Sequence, residues 1–267
     1  MGLDPATLTA GIIASVRTRW RALLLVSVPM LLLGAWTIYV HLSLKIDLWE
    51  RMLLQPWVWS ILDLLLYLAM STIWTVSIAR VLLLDDVGRR NWFGLRWQRR
   101  EWCTLFESLL VALATMLFII PFFVAALIFG WLADVDVMDF AQSSTSYWSN
   151  LAIMLTSSAI ASYGVCRWGL AIVGAAIDRR LKMGQSWNAT TGTSLSIAGT
   201  LFVLLIPATA VQTLIDLELP NSSADIRVLL IVAMPIQMTY FFGVQALVLC
   251  EAYRKLVLGR EAPEAAP

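Results

Sequence analysis

Residues 151–177 read LAIMLTSSAIASYGVCRWGLAIVGAAI, and the reading of this stretch decides the fold. The run exceeds the roughly 20 apolar residues needed to cross a bilayer, yet it carries Arg167 next to Trp168. A guanidinium keeps its proton at any relevant pH. At a bilayer centre it costs roughly 2.5 kcal/mol or more, so such a residue is paired, snorkelled to an interface or functional. As one straight helix the stretch would extend about 40 Å against about 30 Å of hydrocarbon, so it is expected to tilt or to emerge at one end.

The surrounding chain repeats the pattern. Of its 267 residues, 60% are hydrophobic and only 14% charged, with a mean hydropathy of +0.77. Soluble domains run near about 25% charged and lack repeated apolar runs of this length. The sequence therefore predicts an all-α, polytopic membrane protein: a single transmembrane domain over residues 1–260 and a disordered tail at 261–267. Six spans are expected at about 22–40, 57–79, 105–132, 151–177, 199–215 and 228–250. Residues 8–20, with apolar side chains at helical spacing beside Arg17 and Arg19, predict a short interfacial helix ahead of the first span. That span is too long for a signal h-region and is read as retained.

Basic residues set the orientation. Arg17, Arg19, Arg21, Arg80, Arg89, Arg90, Arg96, Arg99, Arg100, Arg179, Arg180, Lys182, Arg254, Lys255 and Arg260 fall on one side of a six-span topology; Lys45, Arg51 and Arg227 fall on the other. By the positive-inside rule both termini are cytoplasmic. Within the longest polar connection, 80–102, arginines alternate with Trp92, Trp97 and Trp102, a membrane-surface pattern. Trp168 and Trp187 are expected to join these tryptophans as cytoplasmic interface anchors. The formal net charge of +1 leaves no nucleic-acid footprint.

Arg80, Arg167 and Arg254 recur at intervals of 87 residues, each near the end of an even-numbered span. Pro29, Pro121 and Pro207 mark the odd-numbered spans, and Trp20, Trp102 and Trp187 precede them. This spacing predicts three consecutive pseudo-repeated hairpins, parallel about an axis along the membrane normal. Ringed about such an axis, the three arginines would form one basic layer suited to anionic lipid headgroups through bidentate contacts, or would simply snorkel as anchors.

Catalytic chemistry has little to stand on. There is no P-loop, GxSxG, HExxH or Gly-rich dinucleotide turn, so the chain is read as a non-enzyme without cofactor. Cys103, Cys166 and Cys250 show no CxxC spacing, and His41 is the single histidine. Asp134, Asp136 and Asp139 lack the glycine and closing glutamate of a calcium loop, so no metal site is expected. Asp63 and Glu107 are acids inside apolar segments, open either to proton relay or to interfacial and interhelical hydrogen bonding.

The segments TIWTVSIARVLLLDD (72–86), LRWQRREW (95–102) and CRWGLAIVGAAIDRRLKMGQSWNATTG (166–192) carry a resemblance. They are similar to a group of uncharacterised six-span inner-membrane proteins of proteobacteria, in Trp74 and Arg80, Arg100 and Glu101, then Arg167, Asp178, Trp187, Thr190 and Gly192. The hairpin pattern also resembles the membrane domain attached to some glycerophosphodiester phosphodiesterases, whose catalytic domain has no counterpart here. The resemblance implies a bacterial inner-membrane location and no particular activity. The expected function is a scaffold binding phospholipid, anionic lipid included, or a membrane-protein partner or second copy. A small-solute or lipid transporter is the alternative.

Overall fold

The structure is a computed structural model that describes residues 3–48, 56–84, 98–132, 147–218 and 224–259. Every regular element among them is helical: α1 (Pro5–Leu48), α2 (Pro56–Leu83), α3 (Arg99–Leu132), α4 (Tyr147–Trp168), α5 (Leu170–Ala176), α6 (Met183–Ala189), α7 (Ser194–Glu218), α8 (Ala224–Tyr253) and a closing π turn (Arg254–Leu258). Three helical stretches, Arg99–Phe122, Ser194–Ile215 and Ala233–Leu258, are long and apolar enough to cross a membrane. A fourth follows if α4 and α5 count as one bent span. This is a membrane-embedded helical protein. The loop of Asp134, Asp136 and Asp139 and the tail at 261–267 lie outside the described residues, as do the side chains of residues 36–40 in the expected first span and 57–67 in the expected second.

Consecutive elements pack as neighbours and the last returns to the first: α1 on α2, α2 on α3, α3 on α4 and α5, α4 on α7, α7 on α8, and α8 on α1. Inside this ring α2, α5 and α8 also touch one another. Their facing residues make the core: Trp74, Ile78 and Ala79 from α2, Leu170 and Val173 from α5, and Val248, Leu249 and Tyr253 from α8. In lipid there is little hydrophobic drive between helices, so close contact depends on small residues. Gly243 supplies one such contact, since a Cβ there would stand 2.7 Å from the Trp74 ring. Outside the ring α3 turns Phe106, Leu109, Leu113, Met116 and Leu117 away from the protein.

The stretch expected as one continuous fourth helix is broken. Its axis turns by 51° between Trp168 and Leu170. The cause is local packing at Gly169, where a Cβ would stand 2.4 Å from the Val165 carbonyl oxygen and 2.9 Å from Leu249. Beyond the bend all seven residues of α5 are buried. The overlong apolar run is thus bent, not one straight rod. Helix α5 then stops in a Schellman turn: Asp178 adopts φ 61°, the Asp178 N–H donates to the Ala175 carbonyl and the Arg179 N–H to that of Gly174. Aspartate is one of the few non-glycine residues that tolerates this left-handed conformation.

Helix α1 is also interrupted, at Arg19, whose φ −121° and ψ 17° leave the helical region. The Arg19 side chain donates to the Val81 carbonyl in the last turn of α2, where unpaired carbonyls and the helix dipole favour a cation. The break separates an N-terminal helical segment from the remainder of α1.

Replacing Gly169 by alanine is expected to lower stability by about 1–3 kcal/mol, because the new methyl group meets backbone and Leu249 in a filled space. Thermal unfolding in mild detergent measures this; a melting temperature equal to that of the wild type would show that the bend does not depend on the missing Cβ.

Candidate functional site at the gathered helix ends

Four cross-links assemble one end of the bundle. Arg19 holds the end of α2. Lys255 donates to the Thr7 carbonyl at 2.8 Å, tying the π turn after α8 to the first helical segment. Arg180 reaches the Cys103 sulfur at 2.7 Å, and Arg100 lies 3.9 Å from the Asp178 carboxylate, joining the α5–α6 connection to the start of α3. The α6 helix folds back beneath the end of α4. Most of the basic residues counted to one side therefore belong to segments brought together here.

Among the described residues three charged side chains are buried, all within this end, and two of them have opposite charges as partners. Glu101, 3% exposed, accepts from the Gln98 N–H at 2.8 Å and from Arg100 at 3.0 Å. It thereby caps the first turn of α3 in the manner of an N3 glutamate. Glu251, 4% exposed, pairs with Arg254 at 2.8 Å and with Lys255 at 3.6 Å. Its carboxylate lies against α1 at Gly11, where a Cβ would stand 2.2 Å from Oε1. Glycine there lets the N-terminal segment dock on an ion pair, with Leu8 and Ile12 buried alongside.

Arg167 is the third. Rather than snorkelling outward, it is 7% exposed, with its guanidinium 3.7 Å from the centre of the Trp187 ring. Its Nη1 donates to the Thr190 hydroxyl at the long distance of 3.4 Å, and its Nε is buried without a partner. Helix α6 is fixed in this position by the Ser186 hydroxyl, which donates to the Arg167 carbonyl at 2.9 Å. The Cys166 thiol donates to the Ser194 carbonyl at 3.3 Å. Aromatic contacts continue outward from Trp187 to Trp168 at 5.4 Å and from Trp168 to Phe118 at 6.3 Å. A desolvated cation–π contact contributes about 2 kcal/mol, whereas taking an ion out of water costs several kcal/mol. The ring therefore offsets only part of the cost of burying Arg167.

The three arginines spaced by 87 residues have different surroundings. Arg167 faces Trp187 and Thr190, Arg254 faces Glu251, and Arg80 is half-buried at the end of α2. Among the tryptophans expected as anchors, Trp102 is 61% exposed, while Trp168 and Trp187 are half-buried against each other. Trp92 and Trp97 lie outside the described residues, as does the side chain of Asp63. Glu107 is half-buried on α3 within electrostatic reach of Arg180. Among the described residues no group of three or more His, Cys, Asp or Glu side chains is placed to hold a metal ion. The sequence reading did not single out Glu251, although its spacing of three and four from Arg254 and Lys255 marks an ion-paired helix end.

Comparison with protein-family models, curated proteins and solved structures finds no match to the chain. The geometry of the site therefore carries the functional argument alone.

Truncating Trp187 to alanine uncovers Arg167 and is expected to cost about 1–2 kcal/mol, with Trp187→Phe closer to wild type. Denaturant unfolding in detergent checks the order; equal loss in both variants would mean that packing volume, not the π face, is what Arg167 uses.

Proposed function

We propose that the chain is a six-span protein of a bacterial inner membrane with both termini cytoplasmic, a non-enzymatic scaffold whose basic end holds anionic phospholipid. The observation that carries this reading is the composition of the gathered end. Trp20 and Trp102 are exposed there, 50% and 61%, among the exposed cations Arg21, Arg99, Arg179, Arg180, Lys182 and Arg254. Arg21 lies 5.4 Å from the Trp20 ring centre. Indole rings settle at headgroup depth and cations at the cytoplasmic leaflet meet a negative surface potential.

Three parallel hairpins account for the same features. Positions 79, 166 and 253 are related by the 87-residue interval, and Ala79, Cys166 and Tyr253 are all at 1% exposure or less. The even-numbered members of the hairpins are the helices that meet in the middle of the ring. Both facts support a pseudo-threefold arrangement.

Lipidomics with native mass spectrometry of protein extracted in mild detergent tests the proposal. Anionic phospholipid is expected to be enriched over its share of the membrane, and to fall severalfold in an Arg99→Gln/Arg180→Gln/Arg254→Gln variant. Retained lipid that mirrors the bulk membrane, unchanged in the variant, would sink it.

The break at Gly169 beside a buried cation favours a second reading, a small-solute or lipid transporter, because discontinuous helices line transport sites. Alternating access would open the interior. Cys166 and Cys250, 0% and 1% exposed, would then react with a small water-soluble maleimide in one state; their lasting protection is the outcome expected of a dry scaffold.

A further inference from the structure

We infer that Arg167 is half of an internal oxyanion site, completed by a phosphate group bound at the guanidinium edge beside Trp187. The inference rests on the membrane-embedded reading above and goes beyond it, since this site is separate from the exposed basic rim. Among the described residues Glu101 and Glu251 each have a cationic partner, but no acidic side chain pairs with Arg167. Its flat face is taken by Trp187 at 3.7 Å. What remains unsatisfied is the in-plane edge that Nε forms with Nη2, where Nε is buried with no acceptor among the described residues; Nη1, on the other side of the group, makes the long bond to Thr190. A guanidinium edge is the protein group best shaped for two-point contact with phosphate oxygens, and stacking on an aromatic ring leaves that edge open.

The site is also held ready. The Ser186 hydroxyl bonds the Arg167 carbonyl and Trp168 braces Trp187, so the ring and the guanidinium are positioned before an anion arrives. Arg179 and Lys182, exposed on the α5–α6 connection, give the approach a positive potential that draws anions in. The phosphate belongs either to a lipid headgroup or to a free phosphate from the aqueous side. Both present the same oxygens to Arg167.

The full-length protein, stripped of lipid by extended detergent exchange, is tested with inorganic phosphate in detergent and, separately, in nanodiscs of phosphatidylcholine with or without phosphatidylglycerol. For a free phosphate, the wild type is expected to gain several degrees of melting temperature in detergent on adding inorganic phosphate. For a headgroup, the gain appears only in nanodiscs containing phosphatidylglycerol. In either case Arg167→Gln abolishes the gain, while the Arg99→Gln/Arg180→Gln/Arg254→Gln variant keeps it. That last variant separates the two proposals: loss of retained lipid there with the Arg167-dependent gain intact concerns the rim alone. Should Arg167→Gln not fold, native mass spectrometry of the wild type decides, with one phosphate or one phosphatidylglycerol retained per chain as the supporting result. No gain with either probe, no retained anion, or a gain equal in Arg167→Gln would overturn the inference, because the guanidinium would then be satisfied by the chain itself.

Discussion

A charge that cannot be neutralised by losing its proton has to be neutralised by what surrounds it, and this bundle is arranged around that constraint. Arg167 lies where α4 ends and α5 begins, at the bend that brings α5 onto α2 and α8. Helix α6 folds back to put Trp187 over it, and the Ser186 hydroxyl fixes the fold-back through the Arg167 carbonyl. The break at Gly169, the burial of α5 and the position of α6 are thus coupled. Straightening the chain at Gly169 would separate the cation from its ring or α5 from its neighbours.

The other buried charges use a cheaper solution, pairing locally. Glu101 takes its cation from the adjacent residue and Glu251 takes two from the next turn. Breaking a buried pair by removing one partner is costly because it strands the other. These pairs therefore specify where the N-terminal segment and the start of α3 sit more than they add stability. The polar contacts concentrate at one end of the molecule, whereas the outward face of α3 is uniformly apolar.

Much of this was legible in the sequence because apolar run length is a one-dimensional signal. The helices carrying Pro121, Pro207 and Pro235 stand where their hydropathy places them. The bend at Gly169 was not legible: a glycine amid small apolar residues reads as a helix interior until Leu249, 80 positions later, takes the place of its side chain. Likewise Trp187 reads as an interface anchor, since nothing in its neighbourhood states that a residue 20 positions earlier will stack on it. Glu251 lies just past the expected sixth span, and only the approach of Gly11 makes it an internal anchor.

The docking of the first segment on the last helix has a consequence for how the protein is made. Thr7 and Lys255 are separated by 248 residues, and Glu251, against which Gly11 of the N-terminal helix packs, leaves the ribosome long after it. At about 5–20 residues per second, that helix waits on the order of tens of seconds for its partner. Through that interval Leu8 and Ile12, buried in the finished structure, lack α8 as a neighbour. The ring closes last at the seam between α1 and α8, so a chain truncated before α8 would leave its beginning as unfinished as its end.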